Sequence, residues 1–200
     1  MNFNLQFISF KYLIMIGNYR IMKIKSLTIY CSSSEKLDQK FYNLTEKIGI
    51  FLAKKRITII YGGGNIGLMG KLSNAALKKG ANVLGVIPEF FKKGENLNLN
   101  ISQTIIVKTM AKRKKILFEK GDAFLILPGG SGTIEEATEV ISWKILGIHN
   151  KPIIIFNFEN YWNAMIEMYN NAKKSKFGDK NLQSVYKIVK TFEEFSLLFK

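Results

Sequence analysis

One segment of the chain, LILPGGSGTIEEATEVISW, constrains its fold more than any other stretch. An apolar run from Leu125 stops at Pro128, turns on three glycines within four positions and continues into a helix-like segment with Glu135 and Glu136. A glycine-rich turn that opens a helix leaves backbone N–H groups unpaired beside the positive end of the helix dipole. The segment therefore predicts a buried strand followed by a helix whose N-terminus holds an anion such as phosphate.

A second strand, turn and helix unit supports the same architecture. The turn GGGNIGLMG, residues 62–70, follows an apolar run from Ile57 to Tyr61 and enters another helical pattern. The predicted strands cover residues 26–31, 57–61, 81–87, 101–107, 123–127 and 153–156, and the predicted helices cover residues 37–54, 67–79, 110–120, 133–146, 162–173 and 192–199. This alternation is typical of βαβ units. We expect an α/β fold, a Rossmann-like doubly wound and mostly parallel sheet with helices on both faces, in a single domain over residues 22–200.

The first 21 residues do not fit this pattern. Their apolar runs are interrupted by Lys11 and Asn18, so they are too short for a membrane span, which needs about 20 apolar residues. Met22 precedes the first predicted strand and resembles a natural start. We expect residues 1–21 to be a disordered or mis-assigned extension; a peripheral membrane contact is the alternative.

The charge and cysteine content limit the possible partners. The formal net charge is +15, but only three of the thirty basic residues are arginine, and the lysines are spread along the chain without interleaved aromatics. This distribution is typical of a solvated basic surface that favours small anionic ligands, so we expect no nucleic-acid partner and no membrane partner. Cys31 is the single cysteine and ends an apolar run, which excludes an internal disulfide and favours a buried thiol in a cytoplasmic protein.

The second glycine turn has two interpretations. Gly62, Gly64 and Gly67 form a G-x-G-x-x-G pattern, and Glu89 follows the next strand, as in dinucleotide-binding enzymes. That pattern usually opens the first βα unit, whereas here it opens the second, and a tight turn without a ligand would also need these glycines. The possible substrate contacts in this turn are Gly63, Gly64, Gly67 and Met69.

Polar residues near the first turn supply the candidate chemistry. The hydroxyls of Ser131 and Thr133 can join the backbone N–H groups of Gly130 and Gly132 in an anion-binding nest. Arg113 is notable in a lysine-rich chain, because its planar guanidinium binds a carboxylate or phosphate through paired hydrogen bonds. His149, in LGIHNKP, is expected to shape a loop between a helix and a strand.

Several motifs together resemble one family. YGGGNIGLMG, VIPEF, MAKRKK, PGGSGTIEE and LGIHNKP are similar to those of the Lonely Guy family of cytokinin riboside 5'-monophosphate phosphoribohydrolases, from about Lys25 to the C-terminus. The resemblance implies hydrolysis of the N-glycosidic bond of a purine nucleoside 5'-monophosphate, giving free base and ribose 5-phosphate. It also implies a homodimer that needs no metal and no organic cofactor.

The resemblance also implies roles for individual residues at the positions that match the family's motifs. It implies that Arg113 and Glu136 are catalytic and that Gly130, Ser131, Gly132 and Thr133 hold the phosphate. It further implies that Glu95, Lys114 and Ser142 line the substrate site, with Glu135 as a second contact or a helix starter. The family commonly has His-Glu before the arginine, where this chain has Ala111 and Lys112, and this difference bears on base preference. A dinucleotide-dependent oxidoreductase and a non-catalytic nucleotide-binding protein remain the alternative functions.

Overall fold

Short runs rich in β-branched and apolar residues form the strands of one sheet. The computed structural model of the protein describes residues 24–91, 97–178 and 184–199, so the predicted extension over residues 1–21 lies outside the described residues. The strands are β1 (Ser26–Tyr30), β2 (Thr58–Tyr61), β3 (Val83–Pro88), β4 (Gln103–Val107), β5 (Ala123–Ile126), β6 (Ile153–Phe156) and β7 (Lys187–Val189). The sequence predicted the first six, and β7, of three residues, is too short to give a pattern.

Amphipathic segments form the helices between these strands. They are α1 (Gln39–Lys54), α2 (Gly67–Leu77), α3 (Met110–Lys120), α4 (Ser131–Ile145), α5 (Asn163–Lys174) and α6 (Phe192–Leu197), with short 3-10 turns at Glu89–Phe91 and Phe158–Asn160. Asp38 begins α1 by accepting a hydrogen bond from the N–H of Lys40, which satisfies one of the free amides of the first turn. The predicted helices are confirmed to within a few residues at their ends.

The strand order confirms a doubly wound sheet. The order is β4-β3-β2-β1-β5-β6-β7, and every pair of neighbours is parallel. In register, Leu27 of β1 lies between Ile59 of β2 and Ala123 of β5. The chain moves outward from β1 in one direction and then restarts beside β1 at β5. Ligands of such sheets bind in the crevice beyond the carboxyl ends of the strands at this reversal.

Helices cover both faces of the sheet, as the sequence predicted. The central strands are buried on both sides, which requires nearly continuous apolar sequence. One core lies beneath α1, α2 and α6, and the other lies beneath α3, α4 and α5. Buried representatives of the first are Leu52, Leu72 and Phe195, and of the second Leu117, Val140 and Met165. In the part of the chain that the structure describes, no helix has the length and apolar character needed to cross a bilayer.

Candidate active site

A cleft of about 610 Å³ opens at the carboxyl edge of the sheet, beyond the ends of the neighbouring strands β1 and β5. Its walls come from the loops after β1, β2, β3 and β5, together with one face of α3 and the first turns of α4. These segments are far apart in sequence and meet because parallel strands end at one edge. The cleft therefore lies at the reversal of strand order, where the fold is expected to bind a ligand.

The start of α4 forms one end of the cleft. Gly130 precedes the helix without a side-chain cap, and the first helical hydrogen bond runs from the N–H of Ile134 to the carbonyl of Gly130. The structure gives the N–H groups of Ser131, Gly132 and Thr133 no acceptor within the described part of the chain. All three residues line the cleft. Their free N–H groups and the helix dipole suit a phosphate.

Arg113 and Glu136 form a hydrogen-bonded ion pair in the cleft. The Nη1 atom of Arg113 donates to Oε1 of Glu136 over 2.9 Å, and its Nε donates to the carbonyl of Val86, within β3, over 3.1 Å. Only 13% of the Arg113 side chain and 11% of the Glu136 side chain are exposed. Both residues nevertheless line the cleft. The structure thus brings together the two residues that the family resemblance implied to be catalytic.

Gly62 leaves space for the guanidinium of Arg113. A Cβ atom at Gly62 would lie 2.4 Å from Nη2 of Arg113, which is far inside van der Waals contact. The first glycine after β2 therefore serves the ion pair directly. The sequence did not indicate this role, because the G-x-G-x-x-G pattern is local, whereas the contact joins residues fifty-one positions apart.

The environment of Glu136 favours its protonated form. Burial raises the pKa of the Glu136 carboxyl to about 7, while the neighbouring charge of Arg113 acts in the opposite direction and the negative charges of Glu135 and Glu139 raise it further. A carboxyl with a pKa near 7 is present in both protonation states at neutral pH. Such a group is suited to general acid or base chemistry.

Lys114 lies beside the cleft and binds two acids of α4. Its Nζ atom contacts the carboxylate of Glu135 and lies 2.8 Å from Oε2 of Glu139. These hydrogen bonds raise the pKa of Lys114. Ser142 is exposed further along α4, and neither Ser142 nor Lys114 lines the cleft. Their roles as substrate contacts remain predictions, and Glu95 lies outside the described residues.

The four possible contacts of the second glycine turn separate into two groups. Gly64 and Met69 line the cleft. Gly63 and Gly67 do not, and both have positive φ angles, of 81° and 59°. A Cβ atom at Gly63 would lie 2.3 Å from Ile87, and one at Gly67 would lie 2.5 Å from the backbone of Ser33. These two glycines therefore permit a tight turn and close packing.

The N-terminus of α2 is already occupied by the chain itself. The N–H groups of Leu68 and Met69 donate to the carbonyl of Ser32, over 3.0 and 3.3 Å. A dinucleotide pyrophosphate would need such N–H groups free. Glu89, the candidate ribose-binding acid, is exposed and does not line the cleft. The geometry thus disfavours the dinucleotide interpretation of this turn.

Several residues of the cleft were missed by the sequence reasoning. Ser32, Ser33 and Ser34 follow β1 and line the cleft together with Tyr30. Three successive serines at the carboxyl end of a predicted strand were the available signal. An apolar wall was also missed, because its members come from four separate segments: Ile66, Phe91, Leu97 and Met110.

Two smaller predictions are confirmed. Nε2 of His149 lies 2.9 Å from the carbonyl of Val140, and its Nδ1 accepts from the N–H of Lys151 over 3.1 Å, so the histidine shapes the loop between α4 and β6. Cys31 is buried, and burial raises the pKa of its thiol. A buried, protonated thiol is a poor nucleophile, as its position in an apolar run predicted.

The fold and the site define a class of protein. The chain is a Rossmann-like α/β protein whose crevice combines free helix N–H groups, which suit a small anionic molecule, with a buried carboxylate. The relatives of the chain specify this class further.

The sequence matches a family model described as "Possible lysine decarboxylase" over residues 69–197. It is 39% identical to the cytokinin riboside 5'-monophosphate phosphoribohydrolase of Rhodococcoides fascians over 154 residues, which are 76% of this chain and 78% of the relative. It is 34% identical to the cytokinin riboside 5'-monophosphate phosphoribohydrolase LOG4 of Arabidopsis thaliana over 190 residues, 90% of this chain and 88% of the relative. The chain therefore belongs to this family, the Lonely Guy phosphoribohydrolases.

A solved structure agrees with the fold. The molybdenum cofactor binding protein of Rippkaea orientalis has a TM-score of 0.66 and 17% sequence identity, and covers 87% of this chain and 94% of its own. At that identity the likeness concerns the fold alone.

Proposed function

We propose that this protein hydrolyses the N-glycosidic bond of a purine nucleoside 5'-monophosphate and releases the free base and ribose 5-phosphate. The observation that carries the proposal is the buried Arg113–Glu136 pair, which shares one cleft with the free N–H groups at the start of α4. The names of the curated relatives, which are phosphoribohydrolases of nucleoside monophosphates, support the same activity.

The cleft offers a separate environment for each part of this substrate. The 5'-phosphate is placed on the N–H groups of residues 130–133, where the helix dipole favours its charge. Glu136 lies one turn further along α4, so the ribose is placed beside its carboxylate. The base is placed against the apolar wall that includes Ile66, Phe91 and Leu97.

The chemistry follows from the charge that develops on the ribose. As the bond between C1' and the base nitrogen breaks, positive charge grows on the sugar ring, and the carboxylate of Glu136 stabilises it. The oxygen of a water molecule then bonds to C1', and its proton is transferred to Glu136. The electron pair of the broken bond leaves with the base, which takes up a proton from solvent, and Glu136 returns its own proton to solvent before the next turnover.

Arg113 orients the carboxylate and keeps part of it ionised. Its guanidinium is fixed by Val86 on one side and by Glu136 on the other, so the carboxylate has one preferred direction. The positive charge opposes the effect of burial on the pKa of Glu136. Binding of the remote phosphate fixes the ribose relative to this acid, and the transition state uses that orientation.

We also infer a homodimer in a reducing, cytoplasmic compartment. Leu146 and Ile148, in the turn just after α4, are 70% and 58% exposed, and such apolar side chains are suited to a subunit contact. Cys31 has no second cysteine with which to form a disulfide within the chain. Light scattering after size exclusion would measure the mass and test the dimer.

The activity is tested by incubating the pure protein with AMP, a prenylated adenine ribotide and other nucleotides, with chromatographic detection of free base and ribose 5-phosphate. We expect Glu136→Gln and Arg113→Ala to lower kcat/KM by about a hundredfold or more, because each removes one member of the catalytic pair. Glu46→Gln is a matched control, since Glu46 pairs with Lys71 on the surface over 2.8 Å. Undiminished turnover in both cleft variants would reject the proposal, and so would a wild-type protein that binds nucleotides without forming product.

A further inference from the structure

A short segment between β6 and α5 touches the phosphate end of the cleft from outside. The hydroxyl of Tyr161 donates a hydrogen bond to the carbonyl oxygen of Gly129 over 2.8 Å. Among the described residues, no other donor reaches this carbonyl. Gly129 directly precedes Gly130, whose N–H also has no acceptor among the described residues, so the contact acts at the start of the row of free N–H groups.

The geometry of the peptide bond transmits this contact into the cleft. In a planar trans peptide, the carbonyl and the following N–H point in opposite directions. The Gly129 carbonyl points toward Tyr161, which does not line the cleft, whereas Gly130 does line it. We propose that Tyr161 is a positioning residue that directs the N–H of Gly130 toward the phosphate of the substrate.

The backbone before Tyr161 has an unusual conformation. Glu159 and Asn160 have φ angles of 53° and 58°, in the left-handed region that non-glycine residues rarely adopt. Two lysines from distant segments hold these residues: Nζ of Lys40 lies 2.7 Å from Glu159, and Nζ of Lys190 donates to Oδ1 of Asn160 over 3.2 Å. Strained backbone of this kind persists only where its surroundings fix it.

Contacts on the other side of Tyr161 limit its movement further. The buried side chain of Asn157 accepts a hydrogen bond from the N–H of Trp162 over 2.7 Å. The ring of Tyr161 packs edge-to-face on that of Trp162, with 4.9 Å between centroids. The tyrosine is therefore held in place although 46% of it is exposed. Its hydroxyl has a defined position relative to Gly129.

The inference concerns the phosphate subsite of the proposed function and rests on it, but it can be tested without catalysis. Tyr161→Phe removes the hydroxyl and keeps the ring contacts. We measure the affinity of each protein for ribose 5-phosphate and for adenine by calorimetry, and kcat/KM for AMP and for adenosine, which lacks the phosphate. Tyr169→Phe is the matched control, because Tyr169 lies on α5 and does not line the cleft. Melting temperatures confirm that both variants fold.

The expected result is a selective loss of phosphate recognition. In Tyr161→Phe the Kd of ribose 5-phosphate rises and the kcat/KM for AMP falls, each about fivefold, the effect of one neutral hydrogen bond. In the same variant the Kd of adenine and the kcat/KM for adenosine stay within about twofold of the wild-type values. In Tyr169→Phe all four quantities stay within about twofold of the wild-type values. An unchanged Kd of ribose 5-phosphate, or an equal loss for AMP and adenosine, would overturn the inference.

The two proposals fail in different ways. If the wild type forms no product but binds ribose 5-phosphate in a manner that depends on Tyr161, the proposed hydrolysis is wrong and the positioning role stands. If the wild type hydrolyses AMP and Tyr161→Phe binds ribose 5-phosphate normally, the hydrolysis stands and the positioning role is wrong.

Discussion

The protonation of Glu136 should control the pH dependence of hydrolysis. Burial raises the pKa of this carboxyl to about 7, and the proposed chemistry requires the ionised form. Below that pH the reactive fraction falls about tenfold for each pH unit, so kcat/KM at pH 5 should be about 1% of its value at pH 9. An ordinary glutamate would remain ionised over most of this range.

The substrate phosphate also ionises, near pH 6, so its titration must be distinguished from that of Glu136. A substitution at the neighbouring Glu135 makes this distinction. The negative charge of Glu135 raises the pKa of Glu136. In Glu135→Gln the midpoint of the profile should therefore move to lower pH, whereas the pKa of the free substrate does not change. Glu46→Gln, at the surface pair with Lys71, should leave the midpoint unchanged.

The assay measures kcat/KM for AMP from pH 5 to pH 9 by chromatography of the released base. A fixed ionic strength is needed, because the charges near Glu136 are partly screened by salt. A profile that is flat down to pH 5 would refute the reasoning, since Glu136 would then have an ordinary pKa. An identical midpoint in Glu135→Gln would assign the titration to another group.

Two further predictions concern residues that support the site. Gly62→Ala should lower kcat/KM at least about tenfold, because the new Cβ would lie 2.4 Å from Nη2 of Arg113 and would displace the guanidinium. A melting temperature near that of the wild type would show that the loss is local, and full activity would contradict the packing argument. Asn98→Ala should lower the free energy of unfolding by about 2–3 kcal/mol, since the buried amide donates to Ser73 and Asn74 over 2.9 and 3.0 Å. Urea unfolding measures that change, and an unaltered midpoint would show that the amide adds no stability.

The fold was predictable because its signals are local. Each long strand is a short apolar run, and each long helix has an apolar face, so six strands and six helices follow from patterns within a few residues. β7 was missed because Lys187–Val189 has only three residues and is placed by its pairing with β6. A strand that depends on a distant partner leaves little trace in its own sequence.

The sequence predicted residues of the site only where they belong to a recognisable motif. Arg113 and Glu136 came from the family resemblance, and the structure joins them by a hydrogen bond of 2.9 Å. The contact of Tyr161 with Gly129 was not foreseen, because it joins residues thirty-two positions apart that share no motif. Ser142 followed from the same resemblance but does not line the cleft, and its role stays a prediction.

The sequence by itself determined that two glycine-rich turns open helices at one edge of a parallel sheet. It could not determine which of the two helix N-termini is free, since both turns contain the same kind of glycine pattern. Only the tertiary structure decided this: the carbonyl of Ser32 accepts from the amides of Leu68 and Met69 in the first turn of α2, whereas the first residues of α4 line the cleft with their amides free. The physical reason is that an N–H group binds an anion only where no nearer acceptor reaches it, and distant parts of the chain provide that acceptor.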